Sequence, residues 1–340
     1  MLKRKEKYRV AVTGATGLVG EEMIEILQER KFPIETLSLF ASERSVGKSY
    51  PFLEDEVVVQ ALDQADFSRI DLVLGATSSA LAKAYAPKTL KAGCVLIDNS
   101  SAFRMEPLVP LIVPEANGDL VLTHQGIIAN PNCSTAQMVV ALKPLHDAAK
   151  LRRVMVTTFQ SVSGTGREAI EELMQQTKAI LSFQELEHNV YSEQIAFNCI
   201  VNWDCDPETG DTEEETKIIA ETKKILGEPD LRVSATTVRV PVFRSHAQSV
   251  TIETEKKLSL NEARALLSEA PGITVLDDPA RKIYATPLDT VGQDNVYVGR
   301  VREDRSTING LHLWVVADNL RKGAALNAIQ IAERLIATLH

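Results

Sequence analysis

The segment Thr13-Gly14-Ala15-Thr16-Gly17-Leu18-Val19-Gly20 lies between a short apolar run at 8–12 and an amphipathic stretch at 19–30. Its glycines form a GxxGxxG turn. Their missing side chains let backbone N–H groups approach a pyrophosphate at the N-terminus of a helix. The strand before the turn and the helix after it strengthen the signal. We therefore predict a dinucleotide site with contacts at Gly14, Ala15, Thr16, Gly17, Leu18 and Val19.

Further strands are predicted at 36–40, 72–75, 95–98 and 127–129, separated by helical stretches or loops. This alternation is typical of a Rossmann-type doubly wound parallel sheet in an α/β protein. Ligands of such sheets bind at the carboxyl ends of the strands. We therefore expect cofactor contacts at Thr77 and Ser78, although hydroxyls at this position also cap helices.

The residues after the second strand indicate which dinucleotide is bound. NAD sites usually present an Asp or Glu there for the ribose hydroxyls. This chain instead has Ser42, Arg44 and Ser45, which suit a 2′-phosphate, so we expect NADP. If Glu43 rather than Arg44 faces the ribose, the cofactor is NAD.

Composition limits the remaining choices. A chain of 340 residues, 44% of them hydrophobic and 24% charged, predicts a globular protein of two domains. A net charge of -9 argues against nucleic-acid and anionic membrane partners. No apolar run reaches the roughly 20 residues that span a bilayer, so we expect a cytoplasmic protein. The four cysteines lack CxxC spacing, which predicts a reduced compartment and no metal site.

The pattern changes after Thr135. Longer strands are predicted at 154–162, 236–243 and 248–254, rich in β-branched residues. Between and after them, helices are predicted at 167–181, 213–226 and 261–269. These elements indicate a C-terminal α+β domain with a mixed sheet and helices on one face. A final helix at 322–339 is expected to return to the first domain, which gives domains of 1–131 with about 320–340, and 132–319.

Cys133 lies in the run Asn130-Pro131-Asn132-Cys133-Ser134-Thr135, just before a helix predicted at 136–149. A thiol at this place meets unpaired backbone N–H groups and the positive end of the helix dipole, which favour the thiolate. Cys133 is therefore a candidate nucleophile. The alternative is a buried cysteine that behaves as a small apolar side chain.

Five features together resemble the aspartate-semialdehyde dehydrogenases: the glycine turn, Asn132 to Thr135, Gln160-Ser161-Val162-Ser163-Gly164, Arg239 with His246, and Asp318 to Ala325. The resemblance covers nearly the whole chain. It implies NADPH-dependent reductive dephosphorylation of L-aspartyl-4-phosphate on the route to lysine, threonine and methionine. It also implies a C-terminal domain for catalysis and dimerisation, in a homodimer or homotetramer.

The resemblance gives roles to the reacting groups. Cys133 would attack the acyl phosphate and form a thioester, His246 would carry out acid–base work, and Gln160 would orient the acyl group. Arg239 would bind the substrate α-carboxylate, with Arg244 as a competing candidate. Arg239 and His246 are seven positions apart, so a regular strand would place them on opposite faces. A turn or bulge is therefore expected between them.

The resemblance also supplies binding residues. Arg104, Lys217 and Asn132 would bind phosphate, and Glu214 would meet the substrate ammonium. The alternative for Glu214 and Lys217 is an ordinary salt bridge within one helix. Further cofactor contacts are implied at Ser161, Ser163, Gly164 and Asn319.

Other families remain alternatives. N-acetyl-γ-glutamyl-phosphate reductase shares the cysteine chemistry, but it tends to have Tyr-Pro after its cysteine where this chain has Ser134-Thr135. A malonyl-coenzyme A reductase uses similar residues. A catalytically silent dinucleotide-binding paralogue is the non-enzymatic alternative. Short-chain dehydrogenases need Tyr-x-x-x-Lys, which this chain lacks.

Overall fold

The computed structural model describes residues 2–201 and 205–339. The chain folds into two compact units. The first unit contains the residues up to Asn132 together with those from Ala324 onward, and the second contains Cys133–Gly323.

The first unit is built on a seven-stranded sheet. Its strands are β1 (Tyr8–Thr13), β2 (Ile34–Ala41), β3 (Ser49–Phe52), β4 (Asp55–Ala61), β5 (Leu72–Gly75), β6 (Val95–Asp98) and β7 (Ile127–Ala129). Its first three helices are α1 (Leu18–Glu29), α2 (Ser79–Ala92) and α3 (Pro114–Asn117). The strand order is β3-β4-β2-β1-β5-β6-β7, with every pair parallel except β3 and β4. The predicted doubly wound parallel sheet is confirmed.

Alternate residues of β1 supply the two faces of this sheet. Val10 and Val12 belong to one apolar cluster, which includes Met23 and Ile26 of α1. Ala11 belongs to a second cluster on the other face. This period of two explains why the central strands are apolar at almost every position. The sheet is therefore packed by apolar residues on both faces.

The second unit contains a six-stranded mixed sheet. Its helices are α4 (Cys133–Ala149), α5 (Arg167–Leu181), α6 (Glu213–Leu226), α7 (Leu260–Glu269) and α8 (Pro287–Thr290). The sheet strands are β8 (Leu151–Gln160), β9 (Arg232–Arg239), β10 (His246–Thr254), β11 (Ile273–Val275), β14 (Val296–Asp304) and β15 (Gly310–Ala317), and β12 (Asp277–Asp278) with β13 (Ile283–Tyr284) forms a separate pair. The order is β11-β14-β15-β10-β8-β9, parallel at both ends and antiparallel between. The predicted mixed sheet is confirmed.

Several predicted boundaries are wrong. Helix α4 begins at Cys133 rather than at 136, so the thiol is on the first helical residue. Strand β8 ends at Gln160 because the chain enters a 3-10 turn, Val162–Gly164. Strand β9 ends at Arg239, not at 243, and β10 begins at His246, not at 248. Pro241 has no backbone N–H for a sheet ladder, which agrees with the earlier end of β9.

The last helix, α9 (Leu326–Ala337), follows a π-helical turn, Arg321–Ala325. Its buried residues Ile329, Ile331 and Leu335 belong to the same apolar cluster as Val10 and Val12 of the first sheet. Helix α9 thus packs with the apolar residues of the first sheet. In the part of the chain that the structure describes, no helix is both long and apolar enough to cross a membrane.

Candidate functional site

The glycine turn after β1 is packed too tightly for side chains. Gly14 has φ +75°, and a Cβ on it would lie 2.2 Å from the carbonyl oxygen of Ala76. A Cβ on Gly20, in α1, would lie 2.2 Å from the carbonyl oxygen of Gly14. The turn therefore brings its backbone close to β5 and to the start of α1, as a pyrophosphate cradle requires.

A cavity of about 590 Å³ adjoins this turn within the first unit. It is lined by predicted contacts and by further residues: Gly14, Thr16, Gly17, Ala41, Ser42, Glu43, Leu62, Asp63, Ala76, Thr77, Leu81, Ala84, Tyr85 and Lys88. Its volume lies in the range of small-molecule and cofactor sites, and its apolar wall suits an aromatic ring. The first unit thus fits a dinucleotide.

The other predicted cofactor residues of the first unit lie in the glycine turn, at the start of α1 and at the start of α2. Ala15 is buried, and Leu18 and Val19 begin α1. Ser78 caps α2, because its hydroxyl accepts a hydrogen bond from the Leu81 N–H at 3.5 Å. This is the capping role that we gave as the alternative.

The residues that would distinguish NADP from NAD form a 3-10 turn, Glu43–Ser45, with Ser42 as its N-cap. The buried Ser45 hydroxyl lies 3.1 Å from Thr16 Oγ1, which ties this turn to the glycine turn. Ser42 and Glu43 line the cavity, whereas Arg44 is exposed and is not among the lining residues. Arg44 must therefore swing towards the cavity if it is to contact a 2′-phosphate.

Arg104 is buried and held by backbone carbonyl groups of the first unit. Its Nε donates to the Asn130 carbonyl at 2.9 Å, and its Nη2 donates to the Asn99 carbonyl at 2.7 Å. The Asn130 side chain in turn donates to Asn99 Oδ1 at 2.8 Å. Asn132, also buried, is the last residue of this part of the first unit. Arg104 is thus fixed by the segments that follow β6 and β7.

In the second unit, Cys133 is half-buried at the first residue of α4. The π-helical turn approaches it so closely that a Cβ on Gly323 would lie 2.8 Å from Cys133 Cβ. The residue after the thiol, Ser134, accepts a hydrogen bond from Gln160 Nε2 at 3.0 Å. Gln160 therefore lies beside the start of the helix that carries the candidate nucleophile.

Helix α6 brings acidic and basic side chains to the second unit. Glu214, in its first turn, accepts a hydrogen bond from Gln160 Nε2 at 3.2 Å. Lys217 forms an ion pair of 2.7 Å with Glu213, four residues before it. The intrahelical salt bridge that we gave as an alternative is therefore present, with Glu213 rather than Glu214 as the acid. The geometry joins Glu214 to Gln160.

The imidazole of His246 is fully buried at the start of β10. Its Nδ1 accepts a hydrogen bond from the Ser161 N–H at 3.0 Å, and Ser161 Oγ lies at the same distance. Burial, reinforced by the charge of Arg239, lowers the pKa of His246 to about 3. Since Nδ1 is an acceptor, the neutral ring carries its proton on Nε2.

Arg239 and His246 face the same space. Arg239 Nη1 donates to the Ser161 carbonyl at 2.7 Å. A Cβ on Gly164 would lie 3.0 Å from Arg239 Nη1 and 3.1 Å from His246 Nε2. The glycine thus leaves room in front of a cation and an imidazole N–H, which suits an anionic substrate with a reacting carbonyl.

The predicted turn between Arg239 and His246 is confirmed. The Val242 N–H donates to the Val240 carbonyl at 2.8 Å, and Ser245 has φ +74°. Arg244, the competing candidate for the carboxylate, donates through Nε to both oxygens of the buried Asp318, at 3.0 and 2.8 Å.

Asn319 joins the residues around the histidine. Its Oδ1 accepts hydrogen bonds from Ser161 Oγ at 3.2 Å, Ser163 Oγ at 3.0 Å and the Ser245 N–H at 2.9 Å. These contacts hold the 3-10 turn after β8 against the segment before β10. In the structure, Ser161, Ser163 and Asn319 therefore support the imidazole.

Sequence reasoning missed the distinct places of three residues in the second unit. Gly323 was quoted only as part of a longer motif, and its close approach to Cys133 has no local signal. Gln137 and Gln248 are buried next to the reacting groups. Buried glutamines on a helix and a strand that otherwise read as apolar were the available clue.

Known proteins match this chain over nearly its whole length. Residues 9–124 match the family model "Semialdehyde dehydrogenase, NAD binding domain", and residues 142–322 match "Semialdehyde dehydrogenase, dimerisation domain". An aspartate-semialdehyde dehydrogenase of Aquifex aeolicus is 50% identical over 333 residues, which are 97% of this chain and 98% of that protein.

Two solved structures add to this comparison. Aspartate semialdehyde dehydrogenase II of Vibrio cholerae, described as complexed with ASA, has a TM-score of 0.96 and 45% identity, covering 99% of this chain and 100% of its own. The Candida albicans enzyme, described with NADP, has a TM-score of 0.74 and 28% identity, covering 97% and 98%. The chain described here belongs to the aspartate-semialdehyde dehydrogenase family.

Proposed function

We propose that this protein catalyses the NADPH-dependent reductive dephosphorylation of L-aspartyl-4-phosphate to L-aspartate-4-semialdehyde through a thioester on Cys133. The chain belongs to this family, and the observation that carries the proposal is the arrangement of three side chains in its second unit. A thiol begins a helix there, and a buried imidazole N–H and a guanidinium face one space at Gly164. A nucleophile, a hydrogen-bond donor for a developing oxyanion and a carboxylate-binding cation together suit acyl transfer from an anionic substrate to the thiol.

The chemistry assigns each reacting group a step. Cys133 Sγ attacks the acyl carbon, the carbon–oxygen bond to phosphate breaks, and a thioester remains. NADPH, when bound, supplies the hydride that reduces this thioester. Because its ring is neutral, His246 donates a hydrogen bond from Nε2–H to the oxyanion of the tetrahedral intermediate, which collapses to the aldehyde as the carbon–sulfur bond breaks and the Cys133 thiolate leaves.

The binding roles follow from charge. Arg239 binds the α-carboxylate through its guanidinium, and Glu214 accepts the ammonium group. Gln160, whose amide reaches both Ser134 and Glu214, orients the acyl group between them. Arg104, Asn132 and Lys217 bind the phosphate that leaves. For Lys217 this requires release of its ion pair with Glu213, which is exposed and therefore weak.

NADP is the cofactor that we propose. The hydroxyls of Ser42 and Ser45 and the exposed side chain of Arg44 would hold the 2′-phosphate. Thr77 and Ser78 would contact the dinucleotide from the end of β5. Ser161, Ser163, Gly164 and Asn319 are proposed as contacts near the reacting end. The NADP in the Candida structure supports this choice.

The same proposal covers the wider role of the protein. The product feeds the synthesis of lysine, threonine and methionine, in the cytoplasm. The family model for a dimerisation domain over residues 142–322 supports a homodimer or a pair of dimers.

The test follows nicotinamide absorbance with L-aspartate-4-semialdehyde and phosphate, with NADP or NAD. We expect phosphate-dependent reduction of NADP, loss of turnover in Cys133→Ala, and retained NADP binding in that variant. Full activity of Cys133→Ala would disprove the mechanism. Turnover of N-acetylglutamate semialdehyde instead would assign the arginine-pathway relative, and silence with both aldehydes would favour a non-catalytic paralogue.

A further inference from the structure

A second layer of buried polar side chains lies next to the proposed catalytic residues. Gln137 of α4, Gln248 of β10 and Thr158 of β8 are each 0% exposed. Gln248 lies directly opposite Thr158 in the antiparallel register of β10 and β8. His246 begins β10 and Gln160 ends β8, each two residues from Gln248 or Thr158 along its own strand and therefore on the same face. None of the three side chains has a role in the reaction proposed above.

The two glutamines connect helix α4 and strand β10 in opposite directions. Gln137, one helical turn after Cys133, donates from Nε2 to the carbonyl of His246 at 3.3 Å. Gln248, two residues after His246, donates from Nε2 to the carbonyl of Ser134 at 2.8 Å. Gln137 of α4 therefore holds the backbone of β10 at His246. Gln248 of β10 holds the backbone of α4 at Ser134, next to Cys133.

Stability alone does not explain these side chains. The Oε1 atoms of Gln137 and Gln248 are buried and have no hydrogen-bond partner in the described part of the chain. An unsatisfied buried polar atom costs roughly 1–3 kcal/mol, and an apolar side chain of the same shape is often neutral or stabilising at such a place. The amide donors must therefore contribute something that an isosteric Met would not.

We propose that Gln137 and Gln248 are positioning residues, which together fix the position of the start of α4 along β10. In this way they hold the Cys133 thiol in line with the His246 imidazole. A slide or rotation of α4 along β10 lengthens both contacts. A misplacement of about 1 Å in a reacting group can cost a hundredfold in rate. The proposal rests on the proposed function, since it takes Cys133 and His246 as the reacting pair.

The test uses the full-length protein with Gln137→Met, Gln248→Met and the double variant. Thr158→Val is the matched control. It removes Thr158 Oγ1, a buried polar atom on the same face, and this atom has no hydrogen-bond partner in the described part of the chain. Three quantities are measured: kcat and KM, the rate at which iodoacetamide alkylates Cys133 between pH 6 and 10, and the melting temperature. Mass spectrometry of the Cys133 peptide separates this thiol from Cys199 and Cys205.

We expect each Gln→Met variant to lose about tenfold in kcat, with KM changed less than about threefold. The pH of half-maximal alkylation should rise, because a shift of the start of α4 moves the thiol away from the imidazole N–H with which the proposal aligns it. The loss of kcat in the double variant should be smaller than the product of the two single losses, because both contacts fix the same position of α4 relative to β10. Melting temperatures and all values for Thr158→Val should stay at the wild-type level.

Three results would overturn the proposal. These are wild-type kcat and alkylation in both single variants, equal losses in Thr158→Val, or a fall in kcat that only follows a fall in melting temperature. The alkylation assay needs no substrate, so it separates this proposal from the proposed function. Turnover in Cys133→Ala would disprove the mechanism, whereas unchanged alkylation in the Gln→Met variants would disprove only the positioning role.

Discussion

Gly164 and His246 are so close that a β-carbon on the glycine would lie 3.1 Å from the imidazole Nε2. The same β-carbon would lie 3.0 Å from Arg239 Nη1. Both contacts are tighter than nine in ten that real β-carbons make. The glycine therefore keeps open the space that the substrate is proposed to enter.

Gly164→Ala should lower kcat/KM by about a hundredfold, because the added methyl displaces the guanidinium and the imidazole together. Steady-state kinetics with the aldehyde, phosphate and NADP measure this. Gly118→Ala is the control, since its new β-carbon meets nothing closer than Arg334 Nε at 3.6 Å, and it should keep full activity. Wild-type kinetics in Gly164→Ala would show that this space is not used.

Gly323→Ala should impair the nucleophile rather than the cofactor site. Its β-carbon would lie 2.8 Å from Cys133 Cβ and 3.2 Å from Cys133 Cα, so the start of α4 or the π-helical turn must shift. We expect kcat to fall about tenfold or more, slower alkylation of Cys133, and unchanged NADP affinity by fluorescence titration. An equal loss of NADP affinity would instead indicate a general collapse of the fold.

Arg44→Ala should weaken NADP and leave NAD unaffected. A hydrogen bond to a charged group contributes roughly 1.5–3 kcal/mol, so the KM for NADP should rise about tenfold or more. Arg69→Ala, an exposed charge on the same unit, is the control. If Arg44→Ala leaves the KM for NADP unchanged and Glu43→Ala raises the KM for NAD, then the cavity-lining Glu43 binds the ribose and the NADP assignment is wrong.

His246 should stay neutral, as one tautomer, throughout the physiological pH range. Its pKa is lowered to about 3, and Ser161 N–H donates to Nδ1. Selective ¹⁵N NMR, with His246→Gln for assignment, should show an Nε2–H ring that does not titrate between pH 5 and 8. Titration near pH 6.5 would contradict the buried environment.

The same shift predicts the direction of a stability change. Between about pH 6.5 and pH 3 the unfolded chain binds a proton at His246 that the folded chain does not. The contribution of this residue to the free energy of unfolding should therefore decrease as the pH falls through that window. His246→Gln should show a shallower dependence there in urea titrations at several pH values.

Asp98 should have the opposite pH dependence. Burial raises its pKa to about 6, although Ser100 Oγ donates to Oδ2 at 2.5 Å. At a pH below the pKa of Asp98 in the unfolded chain, this carboxyl is protonated in both states and does not change the free energy of unfolding. As the pH rises towards 6 and above, the folded chain must hold a buried charge, which lowers the free energy of unfolding. Asp98→Asn should therefore gain stability relative to wild type between pH 4 and 7, by at most about 3 kcal/mol.

A control separates this effect from a general loss of acidic charge. Asp66 is exposed, and hydrogen bonds from the Ser68 backbone and hydroxyl lower its pKa. Asp66→Asn should therefore show a small change of the opposite sign. If Asp98→Asn and wild type have parallel stability curves from pH 4 to 7, the Asp98 carboxyl is not charged at a cost in the fold.

Local patterns determined the elements that carry the site. The apolar run of β1, the glycines after it and the amphipathic stretch of α1 are adjacent in the chain, so they could be predicted together. The placement of Cys133 at a helix start was also local, even though the helix begins three residues earlier than predicted. Alternation of strands with helices was enough for the doubly wound sheet.

Contacts between distant segments decided the rest. Strands β8 and β9 end where Ser161, Asn319 and Arg239 meet, and no single stretch of sequence contains those partners. Lys217 pairs with Glu213, and Arg44 lies outside the cavity that Glu43 lines, because side-chain direction depends on packing that periodicity does not contain.

The sequence by itself determined the two sheets, the dinucleotide turn and the types of the reacting residues, since backbone propensity and hydrophobic period are local properties. Only the tertiary structure decided that Gly164 opens a space before His246, that Gly323 touches Cys133, and that Gln137 and Gln248 join α4 to β10. These relationships depend on distances of a few ångströms between segments that lie far apart in the chain, and such distances are set by the packing of the whole unit.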